Sequence, residues 1–355
     1  MLGIWRAAQF GIMGLKHFTK DGYKFNSKKF DNSTLERDLK GYVCFVTGAN
    51  QGIGYQASLE LAKRNATLYM VCRSRARGEE AVAKIKELSG NQDVFLKVCD
   101  ISSLEQIRSL ASEVDGENVP CHVLVNNAGC MRHNALGKSA DGYEVNFATN
   151  TLGTFALTAL LMNALKRAAK STVGSARVVM VSSGGMYTEG LEVDDLQMEK
   201  PKRFDAVVQY ARDKRRQVRK LTVSAWRQAA KYMSQSCQVA VAEKFSKLFT
   251  DSGVKFVSMH PGWTGTEGVK EALPGFSKQM SGKLRSLEEG SDTIVWLALE
   301  DPCNLTPGGF YFDRKLQKKH LFWAGTSYRS SDVDRLWSRL CHMAGLQELE
   351  GQSSA

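Results

Sequence analysis

The sequence lacks the features that mark membrane-spanning, disulfide-rich and zinc-binding proteins. No apolar run reaches the ~18–20 residues that a transmembrane helix requires. None of the eight cysteines forms a C-x-x-C pair, and several lie inside apolar runs, where a thiol behaves as a small hydrophobic side chain. We therefore expect a reducing intracellular compartment, either cytoplasmic or at a membrane surface, with no metal site and no disulfide framework.

The chain also lacks the motifs that would explain its net charge of +11 through nucleic-acid binding. It contains no zinc-finger spacing and no aromatic RNA-binding signature, so no nucleic-acid partner is expected. Much of the charge is concentrated in residues 212–231, where eight basic residues accompany one acid. A solvated surface is the simplest interpretation, and an anionic membrane or a phosphate-bearing small molecule is the alternative partner.

Acidic residues are absent from the first 20 positions, which interleave apolar side chains with Arg6, Lys16 and Lys20. Residues 1–40 are therefore interpreted as a basic, amphipathic extension, either packed on the body of the protein or lying on a membrane surface. An organelle-targeting presequence is a third interpretation. A second extension, residues 326–355, has apolar residues at helical spacing and predicts a helix docked on the core.

Between the extensions, short β-rich apolar runs alternate with longer helical patterns. The runs occupy residues 42–47, 67–72, 93–99, 122–127, 176–183, 254–260 and 308–312. Strands that are apolar on both faces belong to a parallel sheet covered by helices on both sides. The sequence therefore predicts an α/β, doubly wound Rossmann fold with a seven-stranded parallel sheet, which we assign to residues 41–325.

A glycine-rich segment, TGANQGIG at residues 47–54, follows the first predicted strand and opens a helix. Glycine lets the backbone approach a pyrophosphate, and a helix N-terminus supplies free N–H groups and the positive end of its dipole. The segment is therefore predicted to bind a dinucleotide. Its candidate cofactor-binding residues are Gly48, Asn50, Gln51, Gly52, Ile53 and Gly54.

The second predicted strand ends without the acidic residue that would hold the ribose 2′-hydroxyl of NAD. Cys72 stands there and Arg73 follows it. The planar donors of a guanidinium match the oxygens of a 2′-phosphate, so NADP(H) is favoured over NAD(H). A surface arginine cluster with Arg75 and Arg77 is the alternative interpretation. Asp100, after the third predicted strand, is a candidate partner for the adenine amino group.

Further motifs follow in a fixed order: VNNAG at 125–129, NTLG at 150–153, VSS at 181–183, Tyr-x-x-x-Lys at 210–214 and HPGWTGT at 260–266. This order resembles the short-chain dehydrogenase/reductase superfamily across residues 41–315. Runs such as NFATNTLG, VSSGGM and YFDRK are similar to the subgroup of dehydrogenase/reductase (SDR family) member 12 and the plant forever-young-type oxidoreductases.

The resemblance implies hydride transfer between a nicotinamide and a carbonyl or alcohol. Tyr210 would be the general acid or base, because the ammonium of Lys214 and the positive nicotinamide lower the pKa of a nearby phenol. Ser183 would donate to the substrate oxygen, and Asn150 would hold a water that links Lys214 to solvent. A second Tyr-x-x-x-Lys, Tyr311 with Lys315, falls at the seventh predicted strand, where the two side chains do not share a helical turn.

The resemblance also implies cofactor contacts beyond the glycine-rich segment and Arg73, and it allows a homodimer. We place the nicotinamide carboxamide near the backbone of residues 261–264 and the phosphates near residue 266. The candidate residues are Asp100, Ile101, Asn127, Ala128, Gly129, Tyr210, Lys214, Pro261, Gly262, Thr264 and Thr266.

Two segments bear on the substrate and on activity. Residues 267–282 follow the sixth strand, where this fold usually places a mobile lid, and their apolar side chains suggest an apolar carbonyl or alcohol substrate. Packing of the lid alone is the equal alternative. Residues 218–238 interrupt an otherwise continuous helical pattern and are interpreted as an atypical insert. A catalytically impaired nucleotide-binding, regulatory or membrane-associated protein is therefore the alternative function.

Overall fold

The computed structural model describes residues 2–133, 137–171, 175–200, 208–209, 237–321, 323 and 326–349. Its centre is a single sheet with strand order β3-β2-β1-β4-β5-β6-β7-β8. The strands are β1 Val43–Thr47, β2 Thr67–Cys72, β3 Val94–Val98, β4 Val123–Asn126, β5 Ala176–Val181, β6 Val254–Met259, β7 Phe310–Phe312 and β8 Lys315–Leu316.

The predicted seven-stranded parallel sheet needs one correction. Strands β1 to β7 are parallel, as expected, but an eighth strand pairs antiparallel with β7. Asp313 and Arg314 have φ angles of 47° and 56°, a left-handed two-residue turn of the kind that closes tight hairpins. This turn returns the chain so that Tyr311 pairs with Leu316. Tyr311 and Lys315 therefore lie on a hairpin and not on a helix, as the sequence indicates.

Helices cover both faces of the sheet. Amphipathic spacing explains their placement: in the helix Leu104–Gly116, the buried face is apolar, and Ser103 caps the first turn by accepting from the N–H of Gln106. The α-helices are α1 Leu2–Met13, α2 Lys20–Ser27, α3 Gly52–Ala62, α4 Arg75–Ser89, α5 Leu104–Gly116, α6 Val145–Phe147, α7 Thr154–Leu160, α8 Met162–Ala169, α9 Cys237–Leu248, α10 Glu267–Ala272, α11 Pro274–Gln279, α12 Leu287–Leu299 and α13 Ser330–Ala344.

The C-terminal helix α13 docks on the core, as its apolar spacing predicts. Trp337 is fully buried, and its ring meets those of Phe155 and Phe245 edge-on at centroid distances of 5.1 and 4.8 Å. An ion pair of 2.8 Å between Lys244 and Asp334 joins α13 to α9. The C-terminal extension therefore covers α7 and α9 on one face of the sheet.

The N-terminal extension also packs on the body of the protein. Phe10 and Phe18 are buried, whereas Ile12, Leu15 and Phe25 of the same extension are exposed. In the described part of the chain, no single helix is long and apolar enough to cross a bilayer; the bent pair Val145–Leu160 and Met162–Ala169 meets that test only jointly, by length and composition.

His122 lies buried at the amino ends of β1 and β4. Its Nδ1 accepts from the N–H of Val43 at 3.0 Å, and its Nε2 lies 3.1 Å from the hydroxyl of Ser171. Burial and the nearby Arg177 guanidinium lower the pKa of His122 from 6.5 to about 4. Because protonation of Nδ1 would remove the acceptor for Val43, the folded state holds a neutral imidazole.

We expect His122 to make the fold acid-sensitive. Its folded-state pKa is below its unfolded value, so its contribution to the free energy of unfolding is complete above pH 6.5 and is lost as pH falls towards about 4. The loss should total about 3 kcal/mol. Urea unfolding of wild type and His122→Asn at pH 7.5, 6 and 4.5 measures it, since Oδ1 of asparagine takes the place of Nδ1 and can accept from Val43 without titrating. The exposed His342→Asn is the control and should keep the wild-type slope; a His122→Asn variant with that same slope would contradict the assignment.

Candidate active site

The carboxyl ends of the parallel strands bring the candidate residues to one edge of the sheet. Strand order reverses between β1 and β4: β2 and β3 lie on one side of this pair and β5 to β7 on the other. In doubly wound sheets, ligands bind in the crevice at such a switch point. The glycine-rich segment follows β1 and the sequence NNAG follows β4, so both border this crevice.

The glycine-rich segment forms a tight turn from β1 into α3. Gly48 and Gly52 have φ angles of 64° and 59°, a region that side-chain-bearing residues rarely adopt. At Gly54 a Cβ atom would clash with the carbonyl of Gly48 and the amide of Asn127. Thr266 faces the turn: a Cβ built on Gly52 would lie 3.6 Å from its methyl group. Three positions at the N-terminus of α3 thus carry no side chain, which lets the backbone N–H groups approach an anionic group.

A threonine that the sequence analysis did not select holds the crevice together. The Thr47 hydroxyl accepts from the N–H groups of Asn127 and Ala128 at 3.0 and 2.9 Å and donates to the carbonyl of Val125 at 3.3 Å. In return, Asn127 Nδ2 donates to the carbonyls of Thr47 and Gly48 at 3.0 and 3.3 Å. These bonds fix the ends of β1 and β4 at one separation.

The end of β2 carries the groups predicted to select the cofactor. Burial raises the pKa of the Cys72 thiol to about 11, so no negative charge stands there at neutral pH. Arg73 is largely exposed, and its Nη1 lies 3.8 Å from Oδ2 of Asp100. The other carboxylate oxygen of Asp100 accepts from the N–H and the hydroxyl of Ser102. The guanidinium of Arg73 is therefore accessible to a ligand at this edge, and a ligand phosphate would share it with the carboxylate of Asp100.

Of the four candidate catalytic residues, the structure describes Asn150 and Ser183. Ser183 follows β5, and its hydroxyl accepts from the N–H of Gly185 at 3.3 Å. Asn150 is buried in a π-helical segment, Ala148–Gly153. Tyr210 and Lys214 lie outside the described residues, as does nearly all of the insert.

Asn150 is held from both its side chain and its backbone. The side chain accepts from the N–H of Cys130 at 2.9 Å and donates to the carbonyl of Cys130 at 2.8 Å, which ties it to the strand end that carries Gly129. The backbone carbonyl of Asn150 accepts from Nε2 of Gln238 at 3.3 Å. Gln238 is the last residue of the insert, so this bond anchors the end of the insert beside a candidate catalytic residue.

The loop after β6 contains the residues predicted to meet the nicotinamide. Gly262 has a φ of 76°, and its N–H donates to Nδ1 of His260 at 3.0 Å. Thr264 donates to the carbonyl of Pro261 at 3.2 Å, and Thr266 caps α10 by accepting from the N–H of Val269. Burial and the Arg285 guanidinium hold the pKa of His260 well below its usual range, so this histidine is neutral.

A buried ion pair fastens this loop to the N-terminal extension. Arg285 donates to both carboxylate oxygens of Asp313, at 2.6 and 2.9 Å, and packs against Gly262. It also donates to the carbonyls of His17, Phe18 and Thr19. The sequence does not predict this contact, because Arg285, Asp313 and residues 17–19 lie far apart along the chain.

An apolar cluster lies beside Ser183 and the loop after β6. It includes the lid residues singled out from the sequence, and the structure packs them against the N-terminal extension. The buried members are Phe10, Phe18, Met186, Tyr187, Val239, Trp263, Leu273, Phe276, Met280, Phe310 and Phe312. The apolar side chains of residues 267–282 therefore pack in the interior, which was the alternative to their binding an apolar substrate. We call this group of buried residues the lid cluster.

Comparison with known proteins places the chain among dehydrogenases. The short chain dehydrogenase family model matches residues 42–191. Human dehydrogenase/reductase SDR family member 12 is 38% identical over 336 residues, covering 94% of this chain and 96% of that protein. Human retinol dehydrogenase 11 is 31% identical, covering 87% of each. A short chain dehydrogenase from Escherichia coli CFT073, solved with NADPH, has a TM-score of 0.56 at 18% identity, covering 79% of this chain and 99% of its own.

We expect Thr47→Val to weaken nucleotide binding. The substitution leaves the N–H groups of Asn127 and Ala128 without their acceptor, at a cost of about 1–3 kcal/mol, and it loosens the crevice. The dissociation constant for NADPH, measured by fluorescence titration, should therefore rise about 10-fold. Thr47→Ser keeps the hydroxyl and should bind like wild type. A Thr47→Val variant that loses thermal stability and keeps wild-type affinity would show that the network is structural only.

Proposed function

Because the chain belongs to the short-chain dehydrogenase/reductase superfamily, we propose that it is an NADP(H)-dependent oxidoreductase that interconverts an apolar carbonyl compound and its alcohol. The observation that carries the proposal is the convergence of three features on one edge of one sheet. These are the glycine-rich turn at Gly52, the Ser183 hydroxyl, and the loop that begins at His260. Each follows a different parallel strand, so one extended ligand can touch all of them.

The residues present fit a nicotinamide dinucleotide. The glycine-rich N-terminus of α3 suits the pyrophosphate, and the exposed guanidinium of Arg73 beside the neutral Cys72 suits a 2′-phosphate. When bound, the cofactor supplies the hydride. The chain orients both reactants, and the lid cluster excludes water from the apolar side of the site.

Residues of the chain donate the proton that the substrate oxygen gains on reduction and accept it on oxidation. The Ser183 hydroxyl is placed to donate to a substrate oxygen, because it stands at the end of β5 beside the crevice. Tyr210 is the proposed general acid for reduction and base for oxidation, with Lys214 lowering the pKa of its phenol. Asn150 is the proposed holder of a water that resupplies the proton. Its carbonyl already accepts from Gln238, so that water would share the carbonyl with the amide.

The substrate class follows from the lid cluster and from relatives. The aromatic and aliphatic side chains of the lid cluster lie close to Ser183, because Phe18 of the cluster packs against Gly184. A human relative is named a retinol dehydrogenase, and another is named a polyprenol dehydrogenase. We therefore propose an elongated, apolar aldehyde or alcohol.

Contact with a membrane surface and formation of a homodimer are also proposals. Ile12 and Leu15 are 66% and 48% exposed and lie close to Lys16 and Lys20 in the sequence, an arrangement that suits an anionic interface. The face formed by α7 and α9 is covered by α13, so a homodimer would have to use another surface.

Turnover of an apolar carbonyl compound tests the proposal. NADPH oxidation is followed with a panel of long-chain aldehydes and all-trans-retinal. Tyr210→Phe should lower kcat by about 10²–10⁴-fold, because the phenol hydroxyl is the proposed proton donor, while NADPH affinity should fall at most by the contribution of one hydrogen bond, about 10-fold.

Tyr311→Phe is the matched control, since Tyr311 belongs to the other Tyr-x-x-x-Lys and lies on the β7–β8 hairpin. It should retain activity. Full activity of Tyr210→Phe would refute the proposed acid. If wild type binds NADPH without turnover and a variant lacking residues 218–238 turns over, the insert impairs catalysis and the alternative, a nucleotide-binding protein, describes this chain.

Arg73→Gln tests the preference for NADP(H). Loss of charge-assisted bonds to a 2′-phosphate should raise the dissociation constant for NADPH by about 10- to 100-fold. The constant for NADH should change little, because that cofactor lacks the phosphate. Arg75→Gln is the control, since Arg75 is exposed and pairs with Glu79 at 3.6 Å. Equal weakening of NADPH and NADH by Arg73→Gln would contradict 2′-phosphate recognition.

A further inference from the structure

The N-terminal extension places one aromatic side chain, Phe18, against two segments that border the candidate active site. Phe18 is 2% exposed although it lies near the start of the chain. Its ring centroid lies 4.4 Å from that of His260, 5.9 Å from Trp263 and 5.2 Å from Phe312. The ring is therefore enclosed by residues that follow β6 and lie on β7.

Phe18 also reaches the end of β5. A Cβ atom built on Gly184 would lie 2.6 Å from Cε2 of Phe18, so only glycine tolerates the ring there. Gly184 directly follows Ser183, whose hydroxyl is the proposed donor to the substrate oxygen. On the other side, His260 directly precedes Pro261, where the nicotinamide ring is expected. The Phe18 ring thus lies between the two places where the reacting groups should meet.

Backbone contacts fix Phe18 in this position. Its carbonyl accepts from the N–H of Trp263 at 2.7 Å. The same carbonyl accepts from Nε of Arg285 at 3.1 Å, and Arg285 is paired with Asp313 in the interior. Charged pairs removed from water hold one geometry, because separating them leaves a buried charge uncompensated. The segment is accordingly a fixed wall.

Two donors in the same region have no hydrogen-bond partner. Nε2 of His260 and Nε1 of Trp263 are buried and unpaired among the described residues. Nδ1 of His260 accepts from Gly262, so its Nε2 carries the proton. Buried N–H groups are normally paired, and an oxygen of a bound substrate can satisfy such donors. Two buried donors beside Phe18 are thus available to a ligand oxygen.

We propose that Phe18 is a specificity-determining residue that limits the width of the substrate subsite next to Ser183, so that carbonyl compounds with a slender chain at the carbonyl carbon enter and those with a ring attached directly to that carbon are excluded. The identity of the reaction rests on the proposed function. The wall itself rests on the contacts of Phe18 with Gly184, His260 and Trp263.

The test removes the ring of Phe18 by substitution with alanine. Phe18→Ala should leave an apolar, ring-sized cavity, and such cavities accept aromatic ligands. The probes are decanal, which is slender, and 2-naphthaldehyde, which is wide. The ratio of kcat/KM for 2-naphthaldehyde to that for decanal should rise about 10-fold or more in Phe18→Ala, a range typical of steric discrimination in hydrophobic pockets. Affinity for NADPH should stay within about twofold, since the ring is placed on the substrate side.

Phe25→Ala is the matched control: Phe25 lies on the same extension but is 63% exposed, so the ratio should stay at the wild-type value. Phe18→Leu restores most of the volume and should restore most of the discrimination. Equal losses for both aldehydes in Phe18→Ala, or the same shift in Phe25→Ala, would overturn the proposal.

A binding measurement separates this proposal from the proposed reaction. Tryptophan fluorescence reports binding of 2-naphthalenemethanol and of decanol to the protein with NADP⁺, without turnover. If wild type turns over neither aldehyde, the reaction fails, but selective tightening of 2-naphthalenemethanol binding in Phe18→Ala still supports the wall. Unchanged relative affinity of the two alcohols refutes it.

Discussion

Every part of this site depends on the requirement that parallel strands end together. Because β1 to β7 run in one direction, their carboxyl ends lie at one edge of the sheet. Residues as far apart in sequence as Thr47 and Asp313 therefore lie at the same edge. The ends must still be held at a fixed separation. The hydroxyl of Thr47 does this at the switch point, by accepting from two N–H groups at the end of β4. A strand end without such bonds would expose unpaired donors in the crevice.

The second fixed point is the ion pair of Arg285 and Asp313, whose side chains are 1% and 3% exposed. Desolvating both charges costs several kcal/mol per ion, so the pair is a poor source of net stability. It does impose a geometry, because the remaining donors of Arg285 must find acceptors in the interior. They find them on the carbonyls of His17, Phe18 and Thr19. The pair therefore dictates that the N-terminal extension lies across the loop after β6.

Sequence reasoning succeeds where the signal is local and fails where it is not. The strands, the glycine-rich turn and the docked helix around Trp337 are visible as short apolar runs, glycine spacing and helical periodicity, and the family resemblance is confirmed by the relatives. The eighth strand depends on the two-residue turn Asp313–Arg314. Both residues are left-handed, and the sequence Asp-Arg does not predict that conformation. Contacts such as that between Arg285 and Phe18 join residues far apart in sequence, and only the assembled sheet brings them together.

The insert poses the sharpest question about function, and two buried glutamines bear on it. Gln209 precedes Tyr210 and donates to the carbonyl of Leu196 at 2.9 Å; Gln238 closes the insert and donates to the carbonyl of Asn150 at 3.3 Å. Both glutamines are buried, so the chain is anchored in the core at Gln209 and again at Gln238. The effect of the insert on catalysis depends on how Tyr210 and Lys214 are placed, since displacement of a catalytic group by about 1 Å can slow a reaction about 100-fold.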